Sequence, residues 1–347
     1  MKMIPLGRTG LTVSEFCLGT MTWGNQTDEA GAHAQIDRAL DAGINFLDTA
    51  EMYPTQPVRA ETVGRTEEFI GSWLAKTGRR DGLVLASKVA GPGQKAVRDG
   101  GAVNGATLIA AAEASLKRLR TDVIDLYQIH WPSRASYNFR QNWRFDPSSQ
   151  DRAATVAHML DMLEAAQTLV KAGKICAFGL SNESVWGTAL WLRLAEENGL
   201  PRVASVQNEY SLLCRMADTD MAELCHNEEL PLLAFSPLGA GLLTGKYAGD
   251  VTPDGSRRSR TPDLGGRISP RVWEAVSSYL GIAAQHGLDP AQMALAWTRT
   301  RPFPLIPILG ATTLAQLDVA LGAADLTLSA EVLDDIAAAH RAHPMPY

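Results

Sequence analysis

Asp48, Tyr53, Lys88 and His130 supply an acid, a phenol, an amine and an imidazole, and they follow short apolar runs at residues 45–47, 83–87 and 123–129. Gathered at one rim, such groups could protonate a carbonyl oxygen while a hydride reaches its carbon, so a reductase is the leading reading. A tyrosine is expected to deliver that proton only if its free pKa of about 10 is lowered, which an adjacent cation does by stabilising the phenolate. Lys88 at roughly 4 Å would do so by a few kcal/mol at an effective dielectric near 20. Asp48 would hold Lys88 charged and aimed, and His130 would offer an N–H to orient the carbonyl by hydrogen bonding. Each residue also has a plainer reading: Asp48 or Thr49 as a helix cap, His130 as a satisfied strand-end histidine, Lys88 as a solvated amine. The combination favours chemistry, provided the three runs end side by side.

The order of elements supplies that condition. Residues 3–6 and 11–13 flank the turn Gly7-Arg8-Thr9-Gly10, which predicts a small opening hairpin. Strands are then expected at 16–18, 45–48, 83–87, 123–129, 175–180, 203–206, 232–235 and 305–309. Helices are expected at 28–42, 62–77, 106–119, 155–172, 184–198, 221–227, 270–286 and 290–300. Returns through helices make the strands parallel, and eight β-then-α units close a (β/α)8 TIM barrel; an open doubly wound sheet is the competing architecture. Two long polar segments, 132–150 and 236–269, follow the fourth and seventh strands, at the end where barrel enzymes build their sites.

With 347 residues, 46% of them hydrophobic, the chain has material for a large core, and one domain over residues 1–347 is expected. The 38 acidic and 32 basic residues leave a formal charge of −6 without a long basic run, which disfavours nucleic acid and anionic membranes as partners. Cys17, Cys176, Cys214 and Cys225 are scattered, with no histidine cluster at ligand spacing, so neither a metal site nor a disulfide framework is expected. No apolar leader or membrane-length run occurs, and a reducing cytoplasmic setting fits.

Residues 45–53 (NFLDTAEMY), 114–130 (ASLKRLRTDVIDLYQIH), Gly173-Lys174-Ile175 and Gly179-Leu180-Ser181-Asn182 strongly resemble the aldo-keto reductase superfamily. The resemblance runs over residues 6–339. It is nearest to a bacterial Tas-like branch that shares residues 50–54 (AEMYP) and 286–296 (HGLDPAQMALA). It implies a (β/α)8 barrel with an N-terminal hairpin, NADPH (NADP+) bound in extended form, and no metal. Tyr53 would be the proton donor, Lys88 and Asp48 its tuning pair, and His130 the group orienting a small-molecule carbonyl substrate.

For the cofactor, the resemblance implies contacts from Gly19, Thr20, Met21 and Asp48. Ser181, Asn182 and Gln207 would hold the nicotinamide carboxamide, and Phe235 would stack on the ring. Residues 236–246 (SPLGAGLLTGK) would wrap the pyrophosphate, with Ser236, Pro237, Leu238, Gly241, Leu242, Gly245 and Lys246 as contacts. Arg257, Gly310, Thr312 and Gln316 would meet the 2′-phosphate and ribose. Val319 and Ala320 stand where many relatives carry a Glu-Asn or Thr-Asn pair toward adenine, so those hydrogen bonds are missing and the preference for NADPH over NADH is less secure. Trp23, Trp131 and the segment 137–145, with Arg140, Trp143 and Phe145, are candidates to wall the substrate pocket, Arg140 for an acid group.

Two other functions compete. Some relatives, the potassium-channel β subunits, keep the fold and cofactor as redox-sensing regulatory subunits; the lack of an added N-terminal segment or charged docking tail favours the enzyme. A metal-dependent barrel hydrolase would need further His or carboxylate ligands at strand ends, which the sequence does not offer.

Overall fold

The computed structural model describes all 347 residues. Strands β1 (Met3–Pro5) and β2 (Thr12–Ser14) form the expected antiparallel hairpin. Eight parallel strands follow: β3 (Cys17–Gly19), β4 (Phe46–Asp48), β5 (Val84–Val89), β6 (Ile124–Ile129), β7 (Ile175–Ser181), β8 (Val203–Glu209), β9 (Leu232–Phe235) and β10 (Leu305–Gly310). β10 pairs with β3 and closes the sheet into a (β/α)8 TIM barrel, so the open-sheet alternative does not hold. All eight strands lie where the sequence puts them to within about three residues.

The helices begin where their caps say. Asp28 accepts from the backbone N–H of Gly31 at 2.8 Å and opens Glu29–Asp41; Asp289 accepts from Gln292 N and, with proline in the first turn, opens Pro290–Thr298. Two helices fall outside the sequence expectation, Leu314–Leu321 and Ala330–Ala342. The first starts from Thr313, between Thr312 and Gln316, which the resemblance assigns to the cofactor. The second has a Ser329 cap and a buried stripe of Val332, Ile336 and Ala339 at helical spacing. The segment 236–269 is partly ordered by 3-10 turns at Gly239–Thr244 and Ala248–Asp250 and a helical turn at Arg257–Arg260. No helix is long and apolar enough to cross a membrane.

Strand alternation divides the core into two layers and places the site. One cluster gathers Cys17, Phe46, Val84, Ala86, Leu126, Ala177, Ala204, Leu233, Ile306 and Ile308, at least one residue from every barrel strand, with Leu6 and Val13 of the hairpin closing its floor. The other faces Leu47, Leu85, Tyr127, Phe178, Leu180 and Leu309 outward against the helices. Two residues beyond the inward Phe46, Ala86 and Ala177 come Asp48, Lys88 and Gly179, then Ser181; beyond Leu126 come Gln128 and His130. Hydrophobic residues thus fill the lower barrel, and polar residues of the same parity converge at the carboxyl ends of the strands.

β8 needs one adjustment to join them. Ala204 faces inward, so regular alternation would turn Gln207 outward. Phe178 pairs with Val203 but Leu180 with Val206, so β8 spends one extra residue against β7. That bulge resets the parity and brings Gln207 inside.

Candidate active site

The amine of Lys88 is wholly buried and held by two donated hydrogen bonds, to Asp48 Oδ2 at 2.6 Å and to the Thr49 carbonyl at 2.8 Å. An ammonium there would be strongly disfavoured without such partners. Burial pulls the Lys88 pKa down, but Asp48 and then Tyr53 raise it by more, and the net position is above the ordinary lysine range. The Tyr53 ring centroid lies 5.0 Å from this amine. The His130 ring meets Tyr53 edge-on at 5.7 Å between centroids. Asp48, Tyr53, Lys88 and His130 are therefore brought to one rim, as the sequence requires for shared chemistry.

Their titration corrects the expectation of an acidified phenol. Burial raises the Tyr53 pKa most, Lys88 lowers it and Asp48 raises it again, so it ends above the usual tyrosine range. The cation offsets burial only in part because the ring sits in an apolar nest of Ala50, Met52, Ala90 and Val97. His130 is pushed well below the ordinary histidine range by burial and then by Lys88, so its imidazole is neutral at pH 7. Its Nδ1 is buried without a partner in the protein.

The groups expected to hold a nicotinamide carboxamide fit that task. Ser181 Oγ donates to the Gln207 carbonyl at 2.8 Å, and Asn182 Nδ2 donates to the His130 carbonyl at 2.9 Å. Asn182 Oδ1 is buried with no donor. Gln207 Nε2 donates to Asp48 Oδ1 at 2.8 Å, and its Oε1 takes no hydrogen bond within the protein. Two free amide oxygens match the two N–H bonds of a carboxamide.

Other expected contacts are placed unevenly. Gly19 ends β3 against Ile308 and Leu309, where a Cβ would come within 2.6 Å of Ile308 Cγ2. Thr20 is buried and donates to the Asp48 carbonyl; Met21 packs beside Tyr53. Phe235 ends β9 over the barrel interior. In 236–246, Ser236, Gly241 and Gly245 have positive φ, and a Cβ at Gly241 would crowd Lys246 Nζ at 3.0 Å; Pro237 and Leu238 enter that turn. Leu242 is wholly buried in the core, so only its backbone is free for a ligand. Thr312 donates through both its backbone N–H and its hydroxyl to Gln316 Oε1 at 3.0 Å, next to Gly310 at the end of β10. Arg257 feels Arg267, Glu209 and Arg140; burial and the two arginines push its pKa down to about 9, and its Nε is buried without an acceptor. An anion would relieve it.

The aldo/keto reductase family profile matches residues 15–341. The chain belongs to the aldo/keto reductase family. It is 44% identical to Protein tas of Escherichia coli (strain K12) over 341 residues, 97% of each chain. It is 34% identical to the uncharacterized oxidoreductase YrpG of Bacillus subtilis (strain 168), covering 96% of this chain and 94% of that one. It is also 30% identical to a probable voltage-gated potassium channel subunit beta of Arabidopsis thaliana, covering 95% and 94%. Family membership makes it an oxidoreductase, of a family that commonly uses nicotinamide cofactors.

Within this aldo/keto reductase, the expected substrate walls divide. Trp131 stays at the rim, its ring 5.1 Å from His130 and 6.2 Å from Phe139. Trp23 is a correction: it is fully buried and donates to Gln35 Oε1 at 3.1 Å, a packed core residue with no surface left for a substrate. Arg140 is likewise committed, donating to Glu209 Oε2 at 2.6 Å. Trp143 is exposed beneath Arg271, and Phe145 packs on Tyr137 within its own loop.

Two features escaped the sequence. Gln128 lies wholly buried beside Asp48, readable only by carrying the strand parity on from Leu126. Glu209, at the end of β8, is a buried carboxylate receiving Arg267 Nε at 2.8 Å, Arg140 Nη1 and the Tyr347 hydroxyl at 3.1 Å. It joins both long loops to the C-terminal residue, and no local motif announces such a meeting.

Proposed function

We propose that this protein reduces aldehydes or ketones to alcohols with NADPH. The observation that carries the reading is the buried Asp48–Lys88 ion pair set beneath Tyr53 and beside a neutral His130. Reduced nicotinamide, when bound, supplies the hydride. His130 hydrogen-bonds the carbonyl oxygen and orients it without adding charge. Tyr53, kept protonated by its raised pKa, gives its proton to the developing alkoxide, which is far more basic than a phenolate. Lys88 stabilises the phenolate formed, and Asp48 keeps Lys88 charged and fixed. Asn182 Oδ1 and Gln207 Oε1 would fix one face of the nicotinamide ring, and Arg257 supports NADPH because a guanidinium suits the 2′-phosphate.

The substrate is a small carbonyl compound that enters past Trp131, and the reaction belongs to the cytoplasm. The test is a screen of carbonyl compounds, 4-nitrobenzaldehyde among them, following NADPH oxidation at 340 nm. Turnover with several aldehydes is expected; tight NADPH binding with no turnover of any would reject the enzyme. It would favour the second reading, a redox-sensing regulatory subunit, which the likeness to the Arabidopsis channel subunit supports.

A further inference from the structure

Gln128 is claimed by none of the roles above, yet it sits where the proton-delivering and cofactor-holding groups meet. It is fully buried and faces inward between Leu126 and His130. Its Nε2 donates to Asp48 Oδ1 at 3.3 Å, and its Oε1 accepts from Gln207 Nε2 at 3.3 Å. Asp48 is a carboxylate paired with an ammonium and can only accept, so Gln207 must turn its NH2 toward Asp48. Both N–H bonds of Gln207 are then used, one on Asp48 and one on Gln128. That orientation aims Gln207 Oε1 away from the pair and leaves it free.

Gln128 is itself held in place. Its partner across the sheet is Gly179, where a Cβ would come within 3.1 Å of Gln128 Cγ and 2.9 Å of Ser205 Oγ. The glycine leaves the space that lets the Gln128 side chain lie flat over β7. A leucine at 128 could fill it, but it could bond neither Asp48 nor Gln207.

We infer that Gln128 is a positioning residue: it locks the Gln207 amide so that Oε1 faces the nicotinamide carboxamide, and ties that amide to the carboxylate that fixes Lys88. This rests on the nicotinamide reading above. Its action is confined to the nicotinamide end, since the cofactor contacts it bonds are Gln207 and Asp48, neither of them on the pyrophosphate or adenosine side.

The experiment measures dissociation constants by fluorescence for NADPH and for 2′-phospho-ADP-ribose, which lacks the nicotinamide. It uses wild type, Gln128→Met, Gln207→Met and the double variant. Methionine keeps the length of the side chain and removes its hydrogen bonds. Gln128→Met should weaken NADPH about fivefold to tenfold, the scale of one buried hydrogen bond, and leave 2′-phospho-ADP-ribose within about twofold. The double variant should bind NADPH no more weakly than Gln207→Met alone, because Gln128 acts through Gln207. Equal weakening of both ligands, fully additive losses, or unaltered NADPH binding in Gln128→Met would overturn this role and leave the reductase standing. Wild-type protein that binds 2′-phospho-ADP-ribose equally with or without a nicotinamide attached would sink the nicotinamide reading and this role together.

Discussion

Replacing Lys88 by methionine removes the charge that sits under Tyr53 while keeping the length of the side chain. With the amine 5.0 Å from the ring centroid and an effective dielectric of about 20, the ammonium stabilises a phenolate by about 3 kcal/mol. The loss should lower kcat/KM for a generic aldehyde by about 10²-fold. In the reverse direction, alcohol oxidation needs the phenolate, so the rise of rate with pH should move to higher pH in the variant. Folding must be separated from chemistry, because Lys88→Met strands a buried carboxylate, and breaking a buried pair costs about 3–5 kcal/mol. The double variant Asp48→Asn with Lys88→Met removes that stranded charge. It should regain most of the urea midpoint and none of the activity. If Lys88→Met turned over within about threefold of wild type, with an unmoved pH profile in oxidation, the ammonium would have no part in stabilising the phenolate.

Tyr53→Phe should bind NADPH within about twofold of wild type by fluorescence and lose about 10²- to 10⁴-fold in turnover; wild-type turnover would reject Tyr53 as the acid. Glu209→Leu leaves Arg267 and Arg140 without their buried counter-charge and should lower unfolding stability by about 3–5 kcal/mol, read from urea midpoints. Burial raises the Glu209 pKa but Arg267 and Arg140 lower it by more, so the folded value lies below the unfolded one. Its stabilisation is therefore complete above the unfolded glutamate pKa of about 4.3 and fades as pH falls through the folded value, so the wild-type midpoint should fall more steeply in acid than that of Glu209→Leu. Arg257→Ala should raise the dissociation constant for NADPH much more than for NADH; equal effects would contradict its reading of the 2′-phosphate.

The barrel was legible because its code is local. Apolar runs of strand length alternate with helices capped by Asp28, Asn104, Ser184 and Asp289, and eight such units allow few architectures. The types and order of Asp48, Tyr53, Lys88 and His130 were likewise in the chain. What the chain could not state by itself depends on neighbours distant in sequence. The bulge that turns Gln207 inward is a mismatch between β8 and β7, visible only when both are paired. Trp23 reads as a pocket aromatic until Gln35 closes over it, and Arg140 reads as an anion receptor until Glu209, 69 residues on, takes it. The position of the Tyr53 pKa is of the same kind: residue types name the cation, but burial is a property of the packed whole, and here it outweighs the nearby charge.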